Sequence, residues 1–210
     1  MTHVERDLAG RIVALVSPTG LRTSYSYDAC GRMVDVTDPA GRVTRYSYTS
    51  DFQVATVTYP TGETARYEYD AMGRVVLSHV PGAGVSQYRY DPCGRLVFSC
   101  DLVYGQRHFS YDLAGQLVAA TNPAGGVSRY GYDRCGRLVT RTDPGGGLTT
   151  YQYNECGQTI AATDPLGRVT EYTWDKSGTL AAITRPDGTV VSRRLGPKGV
   201  EEYIDDQLVS

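Results

Sequence analysis

Short runs of about seven residues follow one another along the chain, and an Asp-x-x-Gly sequence or a variant of it separates most of them. In the run VTRYSY, which begins at Val43, Thr44, Tyr46 and Tyr48 fall on one side of an extended chain. Runs such as MVDVT at Met33 are rich in β-branched residues, and none is long enough or suitably spaced for a helix. The pattern therefore predicts strands joined by tight turns, each strand pairing antiparallel with the next.

The whole pattern returns every 21 residues without an insertion. The first aromatic residues of successive repeats are Tyr25, Tyr46, Tyr67, Tyr88, Phe109, Tyr130, Tyr151 and Tyr172. The frame extends back to Val4 and forward to Gly199, so it accounts for nearly the whole chain. We therefore predict one array of about nine repeats over residues 4–199, followed by a tail or truncated repeat over residues 200–210.

Each repeat holds two turn sequences, which we call the Tyr-Asp turn (DACG at Asp28) and the Asp-Pro turn (DPAG at Asp38). Asp suits the first position of a type I turn, Pro the second and Gly the fourth, and such a turn followed by a Gly at positive φ joins many hairpins. The predicted turn residues are Asp28, Gly31, Asp38, Pro39, Gly41, Asp70, Gly73, Asp91, Gly94, Asp112, Gly115, Asp133, Gly136, Asp143, Pro144, Gly146, Gly157, Asp164, Pro165 and Gly167. Two repeats depart from the pattern, with Phe52 in place of the turn Gly in one and LVYG after Asp101 in the other.

Such an array is an all-β protein. Each hairpin repeat widens the sheet by about 9.6 Å, measured across the strands. A sheet of about eighteen strands must curl. We expect 21-residue β-hairpin repeats that form a curved or spiralling antiparallel sheet, the wall of a hollow shell. An aromatic ladder is expected to replace much of a conventional core. Its members are Tyr25, Tyr27, Tyr46, Tyr48, Tyr67, Tyr69, Tyr88, Tyr90, Tyr111, Tyr130, Tyr132, Tyr151, Tyr153, Tyr172 and Trp174.

Composition excludes several classes of protein. A net charge of −2 gives no electrostatic reason to expect nucleic acid as a partner. No apolar run approaches the length of a membrane helix, and no signal-peptide sequence follows Met1. The repeat frame reaches both ends of the sequence, so we expect a piece of a longer array.

The residues with catalytic potential are better explained as parts of turns. The repeated Asp residues lie about 9.6 Å apart along the array, too far to share one metal ion. Cys30, Cys93, Cys135 and Cys156 occupy one repeat position and are too far apart for disulfides, so all five cysteines, including Cys100, are expected to be free thiols. The arginines that follow the Tyr-Asp turns could bind an anionic surface, but we expect them to pair with nearby carboxylates or to stack on Tyr; they are Arg32, Arg74, Arg95 and Arg137. We predict no catalytic residue, cofactor or metal site.

The consensus Y-x-Y-D-x-x-G-R-L followed by T-D-P-x-G resembles the Rhs or YD repeat. That repeat occurs in bacterial Rhs polymorphic toxins, wall-associated proteins, insecticidal toxin complexes and teneurins. The resemblance implies a β-shell, which in the toxins encloses a toxic domain that is released after self-cleavage. The self-cleaving core of the family is missing here, because DPGG at Asp143 and DPLG at Asp164 lie one ordinary repeat apart.

Two functions follow from this resemblance. In the first, the chain is a non-catalytic structural segment of a shell that encloses and delivers a toxin domain. In the second, it is an adhesion module of a cell-surface protein that binds carbohydrate or another protein. The expected partners are further repeats or an enclosed toxin domain, with carbohydrate or a surface protein as the alternative, and the family implies a secreted or cell-surface location.

Overall fold

The structure is a computed structural model that describes residues 2–196, 199–205 and 207–208. These residues form β-strands joined by turns, with no helix among them, so the all-β prediction is confirmed. No helix in this part of the chain could therefore cross a membrane. The strands are β1 (His3–Arg6), β2 (Ile12–Val16), β3 (Arg22–Tyr27), β4 (Met33–Thr37), β5 (Val43–Tyr48), β6 (Val54–Thr58), β7 (Thr64–Tyr69), β8 (Val75–Val80), β9 (Gly84–Tyr90), β10 (Leu96–Asp101), β11 (Gly105–Tyr111), β12 (Leu117–Thr121), β13 (Val127–Tyr132), β14 (Leu138–Thr142), β15 (Leu148–Tyr153), β16 (Thr159–Thr163), β17 (Val169–Trp174), β18 (Leu180–Thr184), β19 (Val190–Gly196), β20 (Gly199–Ile204) and β21 (Gln207–Leu208).

The chain divides into two compact units, Met1–Gln106 and Arg107–Ser210. In the first unit, β1 to β10 form a series in which each strand pairs antiparallel with the next one in sequence. In the second unit, β11 to β21 do the same. Antiparallel pairing of neighbouring strands is therefore confirmed within each unit.

The two hairpin types of a repeat differ in register. In the Tyr-Asp hairpin of β3 and β4, Ser26 lies opposite Asp35 but Tyr27 lies opposite Met33, so Val34 is an extra residue in β4. This β-bulge recurs in the equivalent hairpins, whereas the Asp-Pro hairpins, such as β4 with β5, pair without one. A bulge bends its strand and leaves one residue out of the ladder. Each repeat therefore has a backbone irregularity at the start of its second strand.

The sheet has two chemically different faces. We call the face that carries Tyr25, Tyr27, Val34 and Val36 and their equivalents the tyrosine face. The charged face carries Arg22, Asp35, Arg45 and their equivalents. Since side chains alternate along a strand and directly opposite residues share a face, the registers place no charged side chain on the tyrosine face of β3 to β9. The predicted alternation is visible in β9, where half-buried and exposed residues alternate from Gly84 to Tyr90.

Little of the sheet is fully buried. Among the described side chains, the buried apolar ones are Ala14, Ala65 and Phe98. The chain exposes 13890 Å², against roughly 9,600 Å² for a compact monomer of its mass. Directly opposite Tyr25 lies Val36, and Tyr46 faces Val57, so aliphatic strands separate the tyrosines of neighbouring repeats. Half-buried Tyr and aliphatic side chains on a single sheet layer thus replace a conventional core.

Candidate functional site

The predicted turn aspartates are hydrogen-bonded to their own turns. In the first complete Tyr-Asp turn, Asp28 Oδ1 accepts hydrogen bonds from the backbone N–H groups of Cys30 and Arg32, each at 2.9 Å. Its Oδ2 accepts from Arg32 Nε at 2.7 Å, and Gly31 closes the turn at a φ of 82°. The N–H of Arg32, together with its guanidinium, lowers the pKa of the Asp28 carboxyl below its usual value. The carboxylate is occupied as a cap and is poorly placed to act as a general base.

The same arrangement recurs at the other predicted turns. The carboxylates that accept hydrogen bonds from their own turns include Asp38, Asp70, Asp91, Asp112, Asp133, Asp143 and Asp164. The glycines at positive φ include Gly31, Gly41, Gly73, Gly94, Gly115, Gly136, Gly146, Gly157 and Gly167. Pro39, Pro144 and Pro165 stand at the second position of their turns, as the sequence predicts.

In one of the two repeats that depart from the consensus, the Tyr-Asp turn keeps its geometry although Phe52 replaces the turn Gly. Phe52 has a φ of 65°, the left-handed conformation that the other Tyr-Asp turns give to Gly. Thr49 takes the place of the turn Asp, and its Oγ1 accepts from the N–H of Gln53 at 3.2 Å. A side chain in this conformation costs roughly 1–2 kcal/mol. Contact of the Phe52 ring with Arg32, whose Cζ lies 5.1 Å from its centroid, offsets part of that cost.

Arginine at the fifth position of the Tyr-Asp turn connects one repeat to the next. Arg32 pairs with Asp28, stacks on Tyr48 with its Cζ 4.9 Å from the ring centroid, and directs Nη1 to the carbonyl of Thr49 at 3.5 Å. Arg74 and Arg137 make the equivalent contacts with Tyr90 and Tyr153. The expectation that these arginines pair with carboxylates and stack on Tyr is therefore confirmed.

Glutamine replaces this arginine in three repeats and also bonds the following repeat. Gln53 Nε2 donates to the carbonyl of Gly73 at 2.7 Å. Gln116 and Gln158 reach the turn glycines of their following repeats in the same way, at 3.1 and 3.3 Å. The sequence suggested no such role for glutamine. The only signal available was its position, which it shares with the arginines.

The second tyrosine of each repeat bonds the preceding repeat at its bulge. Pairing of β4 with β5 stops at Asp35 and Arg45, and the Tyr48 hydroxyl donates to the carbonyl of Met33 at 2.5 Å. Burial raises the pKa of the Tyr48 phenol, which keeps the donor protonated. The same bond, reaching back 15 residues, is made by Tyr27, Tyr69, Tyr90, Tyr132 and Tyr153, and by the indole of Trp174. These bonds satisfy carbonyls that the bulges leave unpaired in the ladder.

The remaining reactive side chains are dispersed. His79 lies exposed on β8 opposite Arg66, and His108 lies on β11 opposite Thr121. All five cysteines are free, with Cys100 half-buried and the rest exposed. Among the described residues, no three His, Cys, Asp or Glu side chains come together as metal ligands.

Open grooves lie between successive Asp-Pro turns at the edge of the charged face. One groove of about 690 Å³, in the first unit, runs between the turns at residues 38–42 and 59–63. Arg42, Val43, Arg45, Thr58 and Glu63 are among its lining residues. A related groove of about 530 Å³, in the second unit, is lined by Gly167, Arg168, Val169, Arg185, Pro186 and Asp187. The sequence does not reveal either groove, because the walls of each come from two different turns.

Comparison with known proteins gives a family match and structural matches. The Teneurin YD-shell family model matches residues 2–191. A crystal structure of TcdB2–TccC3 superposes with a TM-score of 0.73 at 18% identity, covering 96% of this chain and 12% of the other. A crystal structure of TcdB2–TccC3–Cdc42 superposes with a TM-score of 0.60 at 15% identity, covering 98% of this chain and 15% of the other. The structure of the Photorhabdus luminescens Tc holotoxin pore superposes with a TM-score of 0.55 at 13% identity, covering 97% of this chain and 14% of the other.

No curated protein sequence matches the chain. At such low identities the structural matches show a shared fold. The chain spans only 12% to 15% of the length of these solved structures.

Proposed function

Because the chain belongs to the teneurin YD-shell family, we propose that it is a segment of a β-shell that encloses and delivers a toxin domain. The observation that carries this proposal is the series of contacts between successive repeats. Arg or Gln reaches forward to the next repeat, and Tyr reaches back to the preceding bulge. These contacts hold successive hairpins together in a wall one sheet thick.

The proposed partners are further repeats of the same kind and an enclosed toxin domain. Support comes from the TcdB2–TccC3 toxin-complex structures, which share the fold over 96% of this chain. A secreted or cell-surface location is part of the same proposal. The role is non-enzymatic, since the turn carboxylates are occupied by their own turns.

Protease protection tests the shell function. The natural gene product that contains this chain is treated with protease, and the rate at which any enclosed domain is degraded is compared with that in a Gly136→Val variant. If the repeats form the wall, the enclosed domain survives in the wild type and is degraded faster once a hairpin is destabilised. Equal degradation rates in the two proteins would contradict the proposal.

A second function, adhesion to carbohydrate or to a surface protein, is favoured by one observation. The groove between the turns at residues 38–42 and 59–63 presents two exposed guanidinium groups, from Arg42, which pairs with Asp38, and from Arg45, whose nearest carboxylate oxygen is 3.7 Å away.

A further inference from the structure

One charged side chain interrupts the tyrosine face in the second unit. Arg141 on β14 lies directly opposite Tyr130 on β13 and Thr149 on β15, and directly opposite residues share a face of the sheet. From β12 to β18, the registers place no other charged side chain on that face. The repeat itself does not require this arginine, because every equivalent residue is uncharged. The equivalents are Leu15, Val36, Val57, Ser78, Ser99, Ala120, Ala162 and Ile183.

The guanidinium of Arg141 has no counter-charge within the described part of the chain. Arg141 is exposed, whereas Tyr130, Thr149 and Tyr151 around it are half-buried. Among the described residues it makes no hydrogen bond and no ion pair. Arg137, just before the same strand, differs in that it pairs with a turn carboxylate and stacks on a Tyr ring. All five N–H donors of Arg141 are therefore available to a group from outside these residues.

The surface around Arg141 is mainly apolar and aromatic. Tyr130 is its direct neighbour across the strands, and Tyr151 is a diagonal neighbour on β15 within reach of a long side chain. An open sheet face of this kind is typical of a surface that another molecule covers. Covering a cation with apolar groups alone is strongly unfavourable, because the charge loses its water and gains no partner. A molecule that covers this face must therefore bring an anion to Arg141.

This requirement separates the possible partners. A second copy of the chain, packed face to face, brings no carboxylate, because the tyrosine face of β3 to β9 and of β12 to β18 has none. Nucleic acid is bound by many cations, and one in seven strands is too few. A free inorganic anion would pair with the guanidinium but leave the tyrosine rings uncovered. A mainly apolar polypeptide segment with one acidic side chain meets both needs.

We infer that the tyrosine face of the second unit docks an apolar segment of the enclosed domain that carries one Asp or Glu, whose carboxylate pairs with the guanidinium of Arg141. Paired N–H bonds from a guanidinium to a carboxylate are strong and fix its orientation. The hydroxyl of Thr149, directly opposite, lies close enough to donate to the same carboxylate. Tyr130 and Tyr151 pack against the flanking apolar side chains. This inference deepens the proposed shell function and rests on it, and it assigns the tyrosine face to the enclosed space.

Zero-length cross-linking of the natural gene product that contains this chain tests the inference. Arg141→Lys supplies an amine that a carbodiimide joins to a carboxylate in direct ion-pair contact, and mass spectrometry then identifies that carboxylate. The matched control is Arg129→Lys, because Arg129 is also exposed and lies on the neighbouring strand β13, but on the charged face. Protease protection of the wild type and both variants reports separately whether a domain is enclosed.

Arg141→Lys is expected to give a cross-link to an Asp or Glu of the protected domain. Arg129→Lys should not give that cross-link, and replacing the identified Asp or Glu by its amide should abolish it. If the domain is protected but Arg141→Lys gives no cross-link to it, or Arg129→Lys gives the same one, the inference is overturned and the shell function stands. If no domain is protected in the wild type, the shell function fails and the inference fails with it.

Discussion

Replacing single turn glycines measures how much one repeat stabilises the next. Gly136, in a Tyr-Asp turn, and Gly146, in the neighbouring Asp-Pro turn, have φ values of 82° and 88°. Alanine in this conformation costs roughly 1–2 kcal/mol at either position. A Cβ at position 136 would lie 3.1 Å from Gln116 Nε2, whereas nothing lies within 4 Å of one at position 146. The two substitutions therefore share a backbone cost and differ in a contact with the preceding repeat.

The difference can be estimated from the hydrogen bond that would be disturbed. Gln116 Nε2 donates to the carbonyl of Gly136 at 3.1 Å. A new methyl group displaces that amide, and a hydrogen bond of this kind contributes about 0.5–1.5 kcal/mol. Gly136→Ala should thus lower the free energy of unfolding by about 1.5–3.5 kcal/mol, and Gly146→Ala by about 1–2 kcal/mol.

Urea unfolding followed by far-UV circular dichroism compares these variants, with hydrogen exchange of β13 and β14 reporting local opening. Repeat arrays need not unfold in one step, so the exchange data identify the hairpin that opens first. In a Gln116→Ala background the two glycine substitutions should become equally destabilising. If Gly136→Ala lowers the free energy of unfolding no more than Gly146→Ala does in the wild-type background, the contact between repeats adds nothing to stability. If neither substitution costs more than about 0.5 kcal/mol, the conformational argument itself is wrong.

Three further outcomes are expected. Tyr48→Phe should lower the free energy of unfolding by about 0.5–1.5 kcal/mol in the same urea assay. Tyr46→Phe should be nearly neutral, because the Tyr46 hydroxyl makes no hydrogen bond among the described residues. Equal effects of the two substitutions would contradict the role of the hydrogen bond to the carbonyl of Met33. Hydrogen bonds within their turns lower the pKa values of five folded-state carboxyls, those of Asp28, Asp38, Asp70, Asp133 and Asp164. Their stabilisation is complete above the unfolded pKa of about 3.9 and is lost as pH falls through the folded values. The melting temperature should therefore drop below pH 4, and a flat profile down to pH 2 would count against the caps. Thiol titration of the denatured, unreduced chain should count all five cysteines, and a count near one would mean disulfides.

Much of the fold could be predicted from the sequence because local rules determine it. A type I turn with Gly at its end depends on four neighbouring residues, and Asp38 to Gly41 satisfy every position. The 21-residue period then places each strand next to the following one. The family resemblance drawn from the Tyr-Asp and Asp-Pro sequences is likewise confirmed by the match over residues 2–191.

The contacts between repeats were harder to predict because they depend on register. The Tyr48 hydroxyl donates to the carbonyl of Met33 beside the bulge at Val34, and the hydrophobic pattern of the sequence does not identify that bulge. Phe52 departs from the repeat consensus in the sequence, but its positive φ follows from the turn that surrounds it and not from the preference of Phe itself. The groove at Arg42 and Arg45 needed two turns to be placed side by side, which requires the structure.

The most direct test of the shell function is a cryo-electron microscopy structure of the natural gene product that contains this chain. The account predicts that residues 2–191 appear as consecutive antiparallel hairpins in a wall, with the Tyr48 hydroxyl bonded to the carbonyl of Met33 beside the bulge at Val34, and that polypeptide density lies inside the space the wall encloses. A map in which these hairpins enclose no space, with solvent on both faces of the sheet, would contradict it.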